Sequence, residues 1–91
     1  MGLTREYEVS DKIGLHARPA AQWVKAVARV KGPVTIRSGE AVIDGKSILQ
    51  VMALGMRPGA VLTVTFPDDL TADMLQEIDD AVKDFLVPKI F

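Results

Sequence analysis

Cysteine is absent from the 91 residues, and histidine, tryptophan and tyrosine each occur once. Without cysteine the chain can form neither a disulfide framework nor a thiolate metal site, and a single histidine disfavours any other protein metal site. We therefore expect no metal and no cofactor. No apolar run is long enough to cross a bilayer, and residues 1–6 lack the apolar segment of a signal peptide. These absences predict a cytoplasmic protein without membrane insertion.

A strong net charge is also missing, since the formal charge is −1 at pH 7. This value argues against bulk binding of nucleic acid. The charges are unevenly placed: every charged residue within 12–38 is basic, whereas those within 68–84 are acidic except for one lysine. We expect a molecule with a positive side that would steer phosphate groups or an acidic partner surface toward it.

The length suits one domain, residues 1–91, with a core from about residue 4 to about residue 86. Alternation of apolar and polar residues predicts strands at residues 5–9, 34–37, 41–44 and 61–66. None of these segments is apolar on both faces, which is typical of an antiparallel sheet with one solvated face.

Apolar spacing of three and four residues predicts helices at residues 17–30, at residues 47–54 and after Thr71, which would cap the last helix; Pro88 would end it. Ser47 with Gln50 three residues later fits a capping box, and residues 87–91 would form an apolar tail. The order β-α-β-β-α-β-α predicts an α+β open-faced β-sandwich. In it, three helices pack on one face of a four-stranded, mostly antiparallel sheet.

The single histidine, His16, lies in the segment GLHARPA at residues 14–20. The proline predicts that a helix begins here, and the amides and dipole at a helix N-terminus favour an anion. Arg18 adds a planar, always-charged donor for phosphate or carboxylate. If the chain handles phosphate through one residue, we expect that residue to be His16.

Imidazole can act as a nucleophile at neutral pH because its unperturbed pKa of about 6.5 keeps it neutral near pH 7. The positive end of a helix disfavours imidazolium and favours a dianionic phosphoryl group. We expect the N–H groups of Ala17 and Arg18 to bind that group and the Arg18 side chain to steady its oxygens. Positioning and electrostatics can stabilise such a transfer, so that no metal is required.

These residues resemble the HPr family, the histidine-containing phosphocarriers of the bacterial phosphoenolpyruvate-dependent sugar phosphotransferase system. The resemblance rests on GLHARPA at residues 14–20, GKSI at residues 45–48 and LGMRPG at residues 54–59. It implies that phosphorylated Enzyme I passes a phosphoryl group to Nδ1 of His16, which passes it to a histidine of an enzyme IIA component. The resemblance thus implies a monomeric carrier rather than a stand-alone enzyme.

The resemblance also assigns a regulatory role to Ser47, as the target of a serine kinase/phosphorylase whose product binds a transcription regulator. An N-cap role is expected for this serine whether or not a kinase acts on it. Residues that match family positions in contact with Enzyme I and enzyme IIA are Ala21, Lys25, Ile48, Leu49 and Met52. A place in the core is an equal expectation for the last three, since their helix is apolar nearly all round.

Other interpretations stay open. Residues 12–13 are similar to those of the nitrogen-branch paralogue, which serves a separate relay, whereas residues 45–46 and the helix from Ser47 favour the sugar branch. A regulatory interaction module acting through Ser47 would keep the fold without the relay; loss of the histidine would favour it, and His16 is present. A nucleic-acid-binding domain would need basic residues among aromatics on exposed strands, and few of either occur there.

Overall fold

Five strands and three helices make up the part of the chain that the computed structural model describes, namely residues 3–10, 17–54 and 57–89. The strands are β1 (Leu3–Val9), β2 (Thr35–Ser38), β3 (Ala41–Asp44), β4 (Val61–Phe66) and β5 (Leu86–Lys89). The helices are α1 (Ala17–Val27), α2 (Ile48–Ala53) and α3 (Ala72–Val82). All strand pairs are antiparallel, in the order β3-β2-β4-β1-β5. The predicted α+β open-faced sandwich is confirmed.

The core lies between the helices and one face of the sheet. In β4, Leu62, Val64 and Phe66 are buried, whereas the alternate residues remain partly or fully exposed. Trp23 and Val27 of α1 are buried against this face. The period of two in the strands thus selects one apolar face, and the amphipathic helices cover it. No helix in the described part is long and apolar enough to cross a membrane.

The fifth strand corrects the predicted four-stranded sheet. Residues 86–89 do not form a free tail but pair with β1, placing Leu86 opposite Val9 and Pro88 opposite Tyr7. Pro88 was predicted to end the third helix, yet α3 ends at Val82. An edge strand tolerates proline because only one of its sides pairs within the sheet. Pro88 is thus incompatible with a helix interior, as predicted, but it lies in the edge strand β5 and not at the end of α3.

Helix α1 is also shorter than predicted, ending at Val27 rather than at residue 30. The chain tightens there, since the Val30 N–H donates to the Val27 carbonyl at 3.1 Å, three residues back. Gly32 follows with a φ of 103°, a left-handed conformation that glycine adopts without a steric penalty. The cap predicted for the last helix is confirmed, because Thr71 Oγ1 accepts the Met74 N–H at 3.1 Å.

A buried carboxylate joins α3 to β1. Asp79 is only 8% exposed, and it accepts a hydrogen bond of 2.7 Å from the Tyr7 hydroxyl. Its other oxygen accepts a hydrogen bond from the Arg5 guanidinium, with which it forms an ion pair. Burial, and next the hydrogen bond to Asp79, raises the pKa of Tyr7 far above its ordinary value. From the sequence, Asp79 was only one member of an acidic run, because its partners lie more than 70 residues away.

Replacing this carboxylate should destabilise the fold. Asp79→Ala leaves the Tyr7 hydroxyl and the Arg5 guanidinium without their shared acceptor, at a cost of about 2–3 kcal/mol in the free energy of unfolding. Urea unfolding of the variant measures this cost. The matched control is Asp80→Ala, since Asp80 is the exposed neighbour and bonds only to Gln76 on its own helix. Its effect should stay below about 0.5 kcal/mol, and equal losses in the two variants would contradict the assigned role.

The raised pKa of Tyr7 predicts a loss of stability in alkali. The unfolded chain releases the tyrosine proton near pH 10, whereas the folded chain retains it to a higher pH. The contribution is therefore fully present below about pH 10 and declines as the pH rises above that value. Unfolding free energies measured between pH 9 and 11 should fall more steeply for the wild type than for Tyr7→Phe. Parallel curves would show that Tyr7 titrates normally in the folded protein.

Candidate functional site

Helix α1 begins at Ala17, directly after the histidine of the GLHARPA segment. His16 itself and residues 11–15 lie outside the described residues. In the first turn the Arg18 side chain is exposed and Pro19 is buried, so the guanidinium lies at the surface while the proline packs inward. No acidic residue occupies this turn. The backbone N–H groups of a first helical turn have no acceptor within the helix, and an anion at this end would also meet the Arg18 cation, with no carboxylate from the turn itself to oppose it.

The exposed face of α1 continues this positive character. Arg18 and Lys25 are exposed two turns apart on α1, and Arg29 is exposed in the turn that follows the helix; together they form a cationic stripe. Lys25 and Arg29 line a groove of about 440 Å³ between α1 and α3. On the α3 side of the groove, a carboxylate oxygen of Glu77 lies 3.7 Å from a guanidinium nitrogen of Arg29. Both side chains are largely exposed, so this ion pair contributes little to the stability of the fold.

Helix α2 carries an apolar surface, here called the α2 patch, formed by Ile48, Leu49 and Met52. These side chains are 38%, 75% and 39% exposed, whereas Val51 on the opposite side is fully buried. Of the two expectations for the three residues, the core placement is therefore wrong. Exposed contiguous apolar side chains of this kind are typical of interaction surfaces. Helix α2 packs beside α1, where Ala21 is also exposed.

Ser47 forms the N-cap of α2. Its hydroxyl oxygen accepts the Gln50 N–H at 3.3 Å, as the capping box predicted. The reciprocal bond of that box is absent, because the Gln50 side chain accepts the Asp44 N–H at 2.9 Å instead. The Ser47 N–H donates to the Asp44 carbonyl at 3.1 Å. These bonds join Ser47 and Gln50, at the start of α2, to Asp44 at the end of β3.

The connection at residues 44–47 is held from the core side as well. The indole N–H of Trp23 donates to the Gly45 carbonyl at 2.9 Å, and the Gly45 N–H donates to the Val34 carbonyl at 2.6 Å. A Cβ at position 45 would approach within 2.9 Å of the Val34 side chain, so only glycine fits without displacement. The Lys46 ammonium donates to the Val30 carbonyl just beyond α1. Nothing in the sequence around Trp23 reveals this contact, because Gly45 lies 22 residues away.

The described residues define a class: a small open-faced α+β sandwich in which an arginine-bearing helix begins directly after the only histidine. The family model described as the PTS HPr component phosphorylation site matches residues 3–84. The chain belongs to this family, the HPr phosphocarriers of the phosphotransferase system. The resemblance found in the three sequence segments is thereby confirmed. Strand β5 begins at Leu86, beyond the matched region.

Individual relatives agree with the family model. The chain is 32% identical over 76 residues to the phosphocarrier protein HPr of Mycoplasma capricolum, covering 84% of this chain and 85% of that protein. It is 33% identical over 60 residues to the multiphosphoryl transfer protein of Xanthomonas campestris, covering 66% of this chain but spanning only 7% of that protein's length. A solved structure of a mycoplasma histidine-containing phosphocarrier protein superposes with a TM-score of 0.79 at 29% identity, covering 90% and 93% of the two chains.

Proposed function

We propose that this chain accepts a phosphoryl group from phosphorylated Enzyme I on His16 and donates it to a histidine of an enzyme IIA component during sugar uptake. One observation carries the proposal: α1 begins directly after the chain's only histidine and exposes Arg18 in its first turn. The family match, which includes a phosphorylation-site description, supports the same assignment.

The proposed chemistry needs only groups of this chain. The Nδ1 lone pair of a neutral His16 ring attacks phosphorus, a new N–P bond forms, and the bond to the donor breaks with its electron pair leaving on the donor. The amides of Ala17 and Arg18 belong to the first turn of α1, where backbone N–H groups have no acceptor within the helix. The Arg18 guanidinium would hold the phosphoryl oxygens in line and neutralise their charge. The second transfer to enzyme IIA uses the same contacts in reverse.

We assign partner docking to the exposed surface of α1 and α2, two helices that pack side by side. The α2 patch supplies apolar area, Ala21 lies on the neighbouring helix, and Lys25 extends the positive charge of Arg18. A complementary partner would present apolar side chains edged by acidic residues. Met52 suits successive partners because a flexible thioether can repack against different surfaces. A cytoplasmic monomer that presents this one face in turn to Enzyme I and enzyme IIA is part of the proposal.

A regulatory role for Ser47 is the second candidate. Its side chain is only half-buried, and its hydroxyl makes a long capping bond, so a kinase/phosphorylase could reach it without unfolding α2. A phosphate there would lie at the edge of the α2 patch and oppose an acidic partner by like charge. The phosphorylated surface would then bind a transcription regulator. Membership of the nitrogen branch is the remaining alternative, decided by which Enzyme I donates the phosphoryl group.

Incubation with phosphoenolpyruvate and each candidate Enzyme I tests the relay. The wild type should gain an acid-labile adduct of about 80 Da, one phosphoryl group, as measured by intact-mass spectrometry. His16→Ala should gain none. Arg18→Ala should still be labelled, but at a rate lowered by about tenfold or more, because one charge-assisted contact is lost. The matched control is Arg37→Ala, an exposed arginine on β2, which should stay within about twofold of the wild type.

Labelling of His16→Ala would refute the assigned site. Equal slowing by Arg18→Ala and Arg37→Ala would mean that general surface charge, not the first turn of α1, governs transfer. Failure to label with every Enzyme I of the host, together with ATP-dependent phosphorylation of Ser47, would favour the regulatory interaction module.

A further inference from the structure

We infer that Trp23 is a positioning residue that fixes the α2 patch and Ser47 relative to the end of α1 that bears Arg18. The inference rests on the proposed function, because it concerns how one docking surface is held together across two elements. Arg18 and the α2 patch belong to different helices, so their relative placement depends on the 44–47 connection between β3 and α2.

Helix α2 has little buried surface with which to fix its own orientation. It has six residues, and Val51 is its only buried side chain. A helix this short is marginal alone, so its direction must come from the segment that leads into it. That segment contains Gly45, whose carbonyl accepts the indole N–H of Trp23 and whose N–H donates to Val34.

Trp23 is suited to set this direction because it is rigidly held. The side chain is 1% exposed, and its ring packs edge-on against Tyr7, with ring centroids 5.9 Å apart and an interplanar angle of 76°. The ring cannot turn without disturbing the core, so the N–H points in one direction. The second link, from Lys46 to the Val30 carbonyl, uses a long flexible side chain that gives no such directional constraint.

Loss of the indole contact should therefore weaken docking more than chemistry. Arg18 would stay on α1, where the buried face of the helix holds it, while the 44–47 connection and the α2 patch would gain freedom. A partner that binds both surfaces would then have to order the second one, at a cost in binding free energy. The phosphoryl-transfer step itself would be unchanged once the complex had formed.

Trp23→Phe removes the N–H while keeping an aromatic ring, and Val82→Ala is the matched control: a fully buried core residue of α3. Amide hydrogen exchange of Gly45 and Val51 should be about tenfold faster in Trp23→Phe than in the wild type, after correction for global stability, and unchanged in Val82→Ala. In phosphoryl transfer from Enzyme I, the KM for Trp23→Phe should rise by about three- to tenfold with kcat within about twofold. The control should move neither constant.

If Trp23→Phe fails to fold, replacement of Trp23 by 3-benzothienylalanine keeps the ring size, removes only the donor, and should give the same exchange and KM changes. Exchange or KM values that change no more than in Val82→Ala would show that Trp23 is an ordinary core residue and would overturn the inference. A wild-type protein that accepts no phosphoryl group contradicts the proposed function instead. The exchange comparison still decides whether Trp23 holds the connection.

Discussion

The packing of one face of α1 against the sheet is the constraint on which the candidate site depends. Trp23 and Val27 are buried almost completely on this face, which fixes both the direction of the helix and its rotation about its own axis. Arg18 and Lys25 are consequently held on the solvent side. The same packing aims the indole of Trp23 at Gly45. One buried helical face thus sets the position of the first turn of α1, of Arg18 and Lys25, and of the contact with the segment that leads into α2.

A different kind of contact holds α3 in place. Asp79 on that helix is paired with groups on β1, so a polar interaction within the core supplements the apolar packing of Ile78 and Val82. Such a buried carboxylate favours one placement of the helix, because any shift leaves charged and hydroxyl groups unpaired. Strand β5 extends the sheet on the β1 side and completes the burial of Leu86. The helices and strands around α1 therefore have a fixed arrangement, which holds the end of α1 that bears Arg18 in place.

Features determined by neighbouring residues could be predicted from the sequence. The strand alternation, the caps at Ser47 and Thr71 and the beginning of α1 at the GLHARPA segment all depend on contacts within a few residues. Features determined by distant residues could not. The pairing of β5 with β1 and the contact from Trp23 to Gly45 arise only when the fold brings these segments together.

Two errors show why local signals are ambiguous. A proline can end a helix, but it is equally compatible with an edge strand. Residues 86–89 form a strand here because they pair with β1, and that pairing cannot be read from the local sequence. Gln50 has the spacing of a capping box, but its side chain accepts the N–H of Asp44, at the end of β3, and not the N–H of Ser47. For the candidate site, residue chemistry pointed to Arg18, and the family resemblance pointed to the three residues of the α2 patch; only the structure showed that the patch is exposed rather than buried.

The central claim is that the phosphoryl group on His16 is held by the amides at the open end of α1. Backbone amide chemical shifts of the protein before and after phosphorylation by Enzyme I test it most directly. The largest changes should occur at the Ala17 and Arg18 amides, because a dianion that accepts their hydrogen bonds alters their shielding most strongly. Unchanged shifts at these two amides, with the largest changes at residues 47–52, would place the phosphoryl group elsewhere and contradict the claim.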